Sequence, residues 1–264
     1  MSVLSRRDAV KMGAGAVLLG GLASTARPAY ADPVIQAGWA LKWSPDPAKD
    51  GLQAFEGLED DRAGSHKGVK HIYVEGDHWR FDMHTRDRDG SDRQRNESKG
   101  MRSGGSVHKI NKDETWKITW QAFWPSALTA TTKFTHIHQM KVQDVGGPLW
   151  TITPRMKGGT PTLTILTLRD NDANTEHTLG SYSALQNKWI DIELDFKASN
   201  SGGHLHWVIK DAGKVVVDGR TTAVDLWRDK NYLRPKWGIY RSLGSSGLRD
   251  CYQLIRNYKG YKWE

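Results

Sequence analysis

The sequence predicts an all-β fold, a sandwich or jelly roll of antiparallel sheets, on three observations. Six segments alternate apolar and polar residues with a period of two, which is typical of half-buried strands. Turn-forming residues separate them, among them Asp-Asn-Asp, Asp-Ala-Gly and Val-Asp-Gly. No long stretch keeps helical spacing, and only residues 222–229 suggest a short turn or helix. In chain order the six segments are WKITWQAF (116–123), FTHIHQMKV (134–142), PTLTILTL (161–168), WIDIELDF (189–196), GHLHWVIK (203–210) and KVVVDG (214–219).

Residues 82–105 depart from this pattern because Arg, Asp, Ser and Gly dominate them. They form either a solvated loop or a strand that crosses a charged groove, and composition leaves both open. Short strands at the observed frequency are typical of a sandwich or jelly roll. No linker divides the chain, so residues 32–264 are predicted to form a single domain, an ordinary size for a β-rich protein.

The first 31 residues have the features of an export signal. Arg6 and Arg7 form a twin-arginine pair, an apolar stretch rich in Gly, Ala and Leu follows, and residues 29–31 (AYA) give a small-x-small cleavage pattern. The apolar stretch is too short and too rich in Gly to be a good membrane span. We therefore expect a mature protein that begins near Asp32, lies in the periplasm or outside the cell, and has no membrane anchor.

Charge and cysteine content narrow the possible partners. The formal net charge is +8, and the net charge of +3 in residues 1–31 leaves about +5 for the remainder. A basic surface favours polyanions, which include nucleic acid, acidic polysaccharide and anionic cell surfaces. The aromatic residues do not form a recognised ribonucleoprotein motif, and the export signal also argues against nucleic acid. Cys251 is the only cysteine, which excludes an intramolecular disulfide.

Two histidines stand out in the segment at 134–142. Alternate side chains of a strand share a face, so His136 and His138 are predicted to point the same way, together with Phe134 and Met140. Buried imidazoles need hydrogen-bond partners, which makes a buried pair costly. A structural pair, a metal site and a catalytic or ligand-binding groove stay open, although no third ligand at a recognisable spacing supports zinc.

Charged residues alternate in RQRNESKG (93–100). In a strand Arg95, Glu97 and Lys99 lie on one face, where Glu97 orients the two cations rather than acting as an acid. A guanidinium held in this way makes paired hydrogen bonds to a substrate carboxylate. The alternative is a solvated run of charges without a function.

A tyrosine stands in an unusual strand near the C-terminus, RPKWGIYRS (234–242). Lys236, Gly238 and Tyr240 share a face, and Gly238 is interpreted as room for the close approach of a sugar ring. The charge of Lys236 would lower the pKa of the phenol. An ordinary edge strand with a surface tyrosine is the alternative.

Together the three segments resemble the groove motifs of jelly-roll polysaccharide lyases, the group that contains family seven alginate lyases, glucuronan lyase and heparin lyase I. Alginate lyases of that group carry R-S/T-E-L-R, Gln-Ile-His and Y-F-K-A-G-V/I-Y-N-Q strands. The matching segments, in the same order, are RNESK (95–99), HIH (136–138) and RPKWGIYRS (234–242). The departures are His136 for the glutamine, Lys99 for the last arginine, Arg234 for the first tyrosine, and Arg241 and Ser242 for Asn-Gln.

The resemblance implies a concanavalin-like jelly roll with a concave groove and β-elimination on a uronic-acid polymer such as glucuronan or alginate. It implies that Arg95 and His136 neutralise the substrate carboxylate. Tyr240 is then the acid, and His138 is the base or a second contact to the carboxylate. The expected substrate-binding residues are Glu97, Lys99, Lys236 and Arg241.

The resemblance also sets expectations for partners. An anionic polysaccharide is the expected substrate. No cofactor and no metal ion are expected, with bound calcium left open. The oligomeric state also stays open, with a monomer expected.

Two other functions remain possible. A jelly-roll glycoside hydrolase needs two carboxylates that face each other across the scissile bond. DIELDF (191–196) offers Asp191, Glu193 and Asp195 on one strand face, although the E-x-D-x-x-E order of laminarinase-like strands is absent. A non-catalytic carbohydrate-binding protein would keep the groove without depending on Tyr240.

Overall fold

The computed structural model describes residues 38–169 and 174–264, and the leader predicted over residues 1–31 lies outside the described residues. Strands dominate these ranges. The strands are β1 (Trp39–Trp43), β2 (Gly57–Glu59), β3 (Ile72–Glu75), β4 (His78–Met83), β5 (Arg93–Lys99), β6 (Arg102–Ser103), β7 (Ser106–Val107), β8 (Thr115–Phe123), β9 (Thr135–Val142), β10 (Trp150–Lys157), β11 (Thr160–Leu168), β12 (Asn174–Ser181), β13 (Trp189–Lys197), β14 (Gly203–Asp211), β15 (Lys214–Val224), β16 (Leu233–Ser242) and β17 (Cys251–Trp263). All of them belong to one compact unit, Gln36–Glu264.

Helical structure in the described ranges is short. One α-helix, α1, covers Pro47–Asp50, and 3-10 turns cover Gly51–Ala54 and Ser183–Leu185. Residues 222–229 form no helix, because β15 continues to Val224 and the chain then has no regular structure. Within the described residues, no helix has the length and apolarity needed to cross a bilayer.

Two large antiparallel sheets form a sandwich, which confirms the predicted jelly-roll class. The eight-stranded sheet has the order β15-β14-β13-β8-β17-β4-β3, and β1 pairs with β17 beside it. The seven-stranded sheet has the order β12-β11-β10-β9-β16-β5-β2. In this order β9, β16 and β5 are direct neighbours. The three segments singled out in the sequence therefore lie side by side, although almost 150 residues separate the first from the last.

The core lies between the two sheets and explains the period-two pattern. On β13, Ile190, Ile192 and Phe196 are buried while Glu193 and Asp195 are partly exposed, as alternation across a half-buried strand requires. All six predicted segments are strands. Large aromatic side chains fill the centre of the sandwich and stack in edge and tilted contacts. They are Trp43, Phe55, Trp79, Trp237 and Tyr258.

Candidate active site

A bulge between β9 and β16 places the two histidines on opposite sides of the seven-stranded sheet. Trp237 lies opposite His138, and Tyr240 lies opposite His136, so three steps along β16 match two steps along β9. An extra residue in one strand changes which side chains share a face. The ring of His136 therefore lies beside Tyr240, whereas His138 packs on Trp237. The prediction that both imidazoles point the same way is wrong.

Gly238 and Gln253 hold this bulge in place. Gly238 has a φ of 133°, and a Cβ there would lie 2.7 Å from Cα of Glu97 on β5. Glycine is therefore required for β5 and β16 to approach each other, rather than for the approach of a ligand. From the opposite sheet, Gln253 donates hydrogen bonds from Nε2 to the carbonyl oxygens of Gly238 and Ile137, the second at 3.2 Å. Trp124 Nε1 in turn donates to Oε1 of Gln253 at 3.2 Å.

Tyr240 stands at the centre of a group that we call the Tyr240 cluster: Tyr240, Arg93, Arg95, Phe134 and His136. Arg93 Nη1 donates a hydrogen bond to the phenol oxygen at 2.9 Å. The guanidinium carbon of Arg95 lies 3.9 Å from the centroid of the Tyr240 ring, a cation–π contact. The rings of Phe134 and His136 lie 4.9 and 5.7 Å from the same ring. A cationic donor on the phenol oxygen stabilises negative charge there, which suits a group that exchanges protons.

His136 is neutral at ordinary pH. Burial lowers the pKa of its imidazole to about 3, and the nearby charges of Arg155 and Arg95 act in the same direction. Its Nδ1 lies 2.8 Å from Oγ1 of Thr153, which fixes the ring and leaves Nε2 for other contacts. The imidazole therefore offers one proton donor or one acceptor without carrying a charge.

Ion pairs beneath the cluster fix Arg95. Its Nη1 lies 3.1 Å from Oε2 of Glu59, and its Nε lies 3.1 Å from Oδ2 of Asp89. Lys236 is buried between two carboxylates, those of Glu59 and, at 2.7 Å, Glu97. Burial alone would raise the pKa of Glu59, but Lys236 and Arg95 outweigh it and lower this pKa to about 2. The carboxylates of Glu59 and Asp89 thus hold the guanidinium of Arg95 in place.

The expected substrate-binding residues divide into two kinds. Arg95, Glu97 and Lys99 share a face of β5, as predicted, and Glu97 accepts a hydrogen bond from Gln139 Nε2 at 2.6 Å. Glu97 and Lys236 are buried in mutual ion pairs, so they position their neighbours rather than contact a ligand. The side chain of Lys99 is 27% exposed, so Lys99, unlike Glu97 and Lys236, can reach a polymer.

Arg241 does not lie on the same side as Tyr240. It is buried, with Nε donating to Gln94 Oε1 at 2.6 Å and Nη1 donating to the carbonyl oxygen of Arg249 at 2.9 Å. Its Nη1 also lies 3.2 Å from Sγ of Cys251, whose pKa burial raises to about 11. The expectation that Arg241 binds substrate is therefore wrong, because the alternation along β16 turns it inward. Cys251 is a buried thiol of the core.

His138 also belongs to the core. Its ring lies 5.0 Å from the ring of Trp120 on the opposite sheet and 5.6 Å from the ring of Trp237. Burial lowers its pKa to about 3. A base in that position has no access to a polymer on the other side of the sheet. The metal alternative for the His136 and His138 pair fails for the same reason, since the two rings do not converge.

Acidification is expected to destabilise the fold from about pH 6.5 downward. His136 and His138 have a pKa near 3 in the folded chain against 6.5 for an ordinary solvated imidazole, so the unfolded chain binds protons first between these values. Stability therefore falls as the pH drops through this window. Glu59, at about 2 against 4.5, adds a further loss below pH 4.5. Each group contributes a slope of up to about 1.4 kcal/mol per pH unit.

The melting temperature measured from pH 8 to pH 3 checks this expectation. A His138→Leu variant removes one of the titrating groups and keeps an apolar side chain in the core. Its melting temperature should depend less on pH between 6.5 and 4 than that of the native chain. Identical slopes for the two proteins would contradict the assignment of a neutral, buried His138.

Four residues of the site were missed in the sequence: Arg93, Glu59, Asp89 and Gln139. Arg93 follows the same period-two spacing as Arg95 and could have been found from it. Strict alternation from His136 predicts the opposite face for Gln139, whereas the shifted register brings it to the side of Glu97. Glu59 and Asp89 lie outside the matched segments, on β2 and in the connection before β5, and no sequence pattern marks them.

The three acids of the glycoside hydrolase alternative lie on the outer face of the eight-stranded sheet. Asp191 accepts a hydrogen bond from Gln121 at 2.8 Å, Glu193 pairs with Lys117 at 3.2 Å, and Asp195 pairs with His204 at 3.0 Å. They form ladders between neighbouring strands, an arrangement typical of a solvated sheet face. A cavity of about 580 Å³ lies over Asp191 and Glu193. It lies on the opposite side of the sandwich from Tyr240.

An open cavity of about 720 Å³ lies next to the Tyr240 cluster. Its lining includes Phe134 of the cluster and Arg155, whose charge acts on His136. Lys157 and Ser242 also line it. Glu176 also lines the cavity and pairs with both Arg155 and Lys157, and with Lys133 the lining holds three cations against one carboxylate. This excess of positive charge beside an aromatic ring suits an anionic sugar chain, which would cross from this cavity over Tyr240.

The described fold is similar to solved structures of alginate lyases. One, a member of polysaccharide lyase family 7, has a TM-score of 0.58 at 12% identity, over 83% of this chain and 100% of its own. Alginate lyase AlyC3 has a TM-score of 0.53 at 14% identity, over 81% of this chain and 91% of its own. An alginate lyase from Pseudomonas aeruginosa has a TM-score of 0.53 at 14% identity, over 79% of this chain and 98% of its own.

The chain shares its fold with these enzymes. No protein-family model matches the sequence, and a search of curated proteins found no match. At identities of 12 to 14% the likeness is one of fold, and the chemistry has to be argued from the Tyr240 cluster.

Proposed function

We propose that this chain is a polysaccharide lyase that cleaves a uronic-acid polymer by β-elimination. The observation that carries the proposal is the Tyr240 cluster. It combines a phenol whose oxygen accepts a hydrogen bond from Arg93, the guanidinium of Arg95 and a neutral His136. Elimination next to a carboxylate needs a proton-transfer group and donors that take up negative charge, and the cluster supplies both.

The first requirement is to make the C5 proton of the sugar acidic. The neighbouring carboxylate opposes its removal, because further negative charge must develop beside an existing one. Arg95 supplies a cation for this carboxylate. Nδ1 of neutral His136 contacts the hydroxyl of Thr153, and we assign the ring proton to Nε2, where it donates to the same carboxylate. The two donors stabilise the enolate-like transition state.

The second requirement is to move a proton from C5 to O4. Since His138 is in the core, Tyr240 performs both transfers. Its phenolate, stabilised by Arg93, accepts the C5 proton. The electrons of the C5–H bond form the C4–C5 double bond, the C4–O4 bond breaks, and the phenol returns its proton to O4. The enzyme is regenerated, and the new chain end carries an unsaturated uronate.

Because Tyr240 takes and returns the proton on one side of the sugar ring, the mechanism determines which uronic acids can react. In mannuronate and glucuronate the C5 proton and O4 lie on the same side of the ring, whereas in guluronate they lie on opposite sides. Tyr240, to which both proton transfers are assigned, lies on the same sheet face as His136 and approaches a sugar from one side. This arrangement favours polymannuronate or glucuronan over polyguluronate.

The structural neighbours support the proposal. Solved structures of one of them, a family 7 alginate lyase, contain a substrate (GGMG) or a product (GGG). The substrate complex was obtained with a variant in which a histidine and a tyrosine are replaced. A histidine and a tyrosine, His136 on β9 and Tyr240 on β16, are also the central pair of the Tyr240 cluster.

The test is an assay of the mature protein on polymannuronate, glucuronan, polyguluronate, a heparin-type polymer and a neutral β-glucan. Ultraviolet absorbance and reducing ends are followed together. A lyase raises both signals, since elimination leaves a conjugated double bond, and the expected order is polymannuronate or glucuronan before polyguluronate. Reducing ends without absorbance would identify a hydrolase, and binding without either signal would identify a carbohydrate-binding protein.

His136 and His138 are expected to respond differently to substitution. His136→Ala removes a donor to the carboxylate and should lower kcat/KM about 100-fold. His138→Leu changes a core side chain and should leave kcat/KM of the folded protein within about threefold of the native value. Kinetics on the preferred polymer, corrected for the folded fraction, compare the two. A larger loss with His138→Leu would contradict the assigned faces.

We also infer export through the twin-arginine pathway to the periplasm or the exterior. The paired Arg6 and Arg7 and the cleavage pattern at residues 29–31 support it. N-terminal sequencing of the exported protein should begin at Asp32. A chain recovered only from the cytoplasm with its leader intact would contradict the inference.

A further inference from the structure

A second cluster of polar side chains lies apart from the Tyr240 cluster. Within residues 38–169 and 174–264, one group of histidines and a carboxylate has the spacing of a metal site: His66, His71, His84 and Asp87. One ligand atom from each lies within 4.8 Å of the others. The imidazole centroids are 4.8 to 5.4 Å apart. The residues come from the β2–β3 connection and from the connection between β4 and β5.

The separations around the carboxylate match those of a coordinated ion. Oδ1 of Asp87 lies 3.0 Å from Nδ1 of His66 and 3.2 Å from Nε2 of His71, and its Oδ2 lies 3.3 Å from Nδ1 of His84. Two ligands of a tetrahedral zinc ion with bonds near 2.1 Å lie about 3.4 Å apart. A single ion at the centre of the group can therefore bind all four side chains with small side-chain movements.

His71 is oriented for coordination by a second carboxylate. Its Nδ1 lies 2.6 Å from Oδ1 of Asp60, and its ring is fully buried. A carboxylate on the far nitrogen holds the proton there and leaves the other nitrogen as a lone-pair donor, as is usual for histidine ligands of metals. Asp60 is itself fixed, because its Oδ2 accepts the backbone N–H of His71 at 3.2 Å.

Asp87 is fixed in the same manner. Its side chain is 1% exposed, and its Oδ2 accepts the backbone N–H of His84 at 2.6 Å and Nδ2 of Asn96 at 3.3 Å. Three imidazoles thus surround one buried carboxylate whose position is already set. Both ring nitrogens of His71 face carboxylate oxygens, Nδ1 that of Asp60 and Nε2 that of Asp87, while the rings of His66 and His84 also contact the oxygens of Asp87.

We propose that His66, His71, His84 and Asp87 bind one divalent transition-metal ion, with zinc as the best match. Three imidazole nitrogens and one carboxylate oxygen suit zinc, whereas calcium and magnesium prefer all-oxygen sites with more ligands. Four protein ligands complete a tetrahedron, so the ion is structural. The proposal departs from the sequence-based expectation that the protein holds no metal, and it does not depend on the proposed lyase activity.

The ion would support the Tyr240 cluster from behind β5. Gln94, on the inner face of β5, donates from Nε2 to the carbonyl oxygens of His84 at 2.7 Å and Asp87 at 2.8 Å. Asp89, two residues after Asp87, pairs with Arg95 on the other face of that strand. A metal ion that links the β2–β3 connection to this segment would therefore fix the position of Asp89. Asp89 in turn would position Arg95 through their ion pair.

The test measures metal directly. The protein is produced without a polyhistidine tag in zinc-supplemented medium, dialysed, and analysed by inductively coupled plasma mass spectrometry. The expected result is about one zinc ion per chain. His66→Gln and His84→Gln replace the two partly exposed ligands, which are the least disruptive to folding, and should lower the retained zinc at least about tenfold. His78→Gln, a partly exposed histidine paired with Asp77, is the matched control and should keep it.

Cobalt provides a readout independent of folding yield. Cobalt(II) titrated into the metal-stripped protein should produce the intense visible bands of a tetrahedral site in the native chain and in His78→Gln, but not in His84→Gln. Chelation should lower the melting temperature of the native chain and leave that of His84→Gln unchanged. Absence of retained zinc together with absence of cobalt bands in the native chain, or equal bands in all variants, would overturn the site. Loss of lyase activity alone would not, since zinc content is measured without substrate.

Discussion

Tyr240→Phe is expected to lower kcat about 10⁴-fold while leaving polymer binding nearly unchanged. The phenol is assigned both proton transfers, and general acid–base groups contribute up to about this factor. The ring of phenylalanine keeps the contacts to Arg95 and Phe134, so the fold and the sugar-binding surface persist. Absorbance of unsaturated products gives kcat, and binding of the polymer to the variant is measured by calorimetry.

A matched control is Tyr252→Phe. Tyr252 also lies under a guanidinium, with Arg80 at 4.0 Å from its ring centroid, but it belongs to the eight-stranded sheet. Its replacement should leave kcat within about twofold, since it is far from the reacting atoms. Turnover in Tyr240→Phe above about a tenth of the native value, or an equal loss in Tyr252→Phe, would remove the phenol from the reaction.

Lys236→Met is expected to cost about 3 to 5 kcal/mol of unfolding free energy. It leaves Glu59 and Glu97 buried together without the cation that they share, and removing one partner of a buried ion pair leaves the other charge uncompensated. The loss of Lys236 should also raise the pKa of Glu59, since that cation is a leading cause of its low value. Urea unfolding at pH 7 gives the free energy.

The matched control for this change is Lys117→Met. Lys117 pairs with Glu193 at 3.2 Å on the outer face of the sandwich, where both side chains are about a quarter exposed. Partly exposed pairs are worth about 0 to 1 kcal/mol. Adding Glu97→Gln to Lys236→Met should recover part of the stability. If Lys236→Met and Lys117→Met lower the free energy of unfolding by the same amount, Lys236 does not stabilise the buried carboxylates of Glu59 and Glu97.

The alternation of apolar and polar residues predicted the strands and, for most side chains, the sheet face on which they lie. The period of two located the six segments, and on β5 it placed Arg95, Glu97 and Lys99 on one side as observed. It failed on β9, where His138 turned out to be a core residue. Alternation continues along a strand only while the register with its neighbour is regular, and the register between β9 and β16 shifts.

The register shift between β9 and β16 depends on residues that are distant in sequence from β9. Gly238 is needed because β5 passes close to β16, and Gln253 binds the bulge from the opposite sheet. A glycine in a strand indicates a bulge or a close approach, but the sequence does not say of what. The sequence likewise does not identify the partners of Glu59 or of the histidines at 66, 71 and 84. These residues reach their partners only because the loops between strands bring them together.

The most direct test of the elimination mechanism is a crystal structure of the Tyr240→Phe protein with a mannuronate or glucuronate tetrasaccharide. The account predicts that one sugar lies over residue 240 with C5 and O4 both about 3 to 3.5 Å from the position that the phenol oxygen occupies in the native chain. Its carboxylate should contact Arg95 and Nε2 of His136. A tetrasaccharide bound instead over Asp191 and Glu193 on the eight-stranded sheet, or one whose C5 faces away from residue 240, would contradict it.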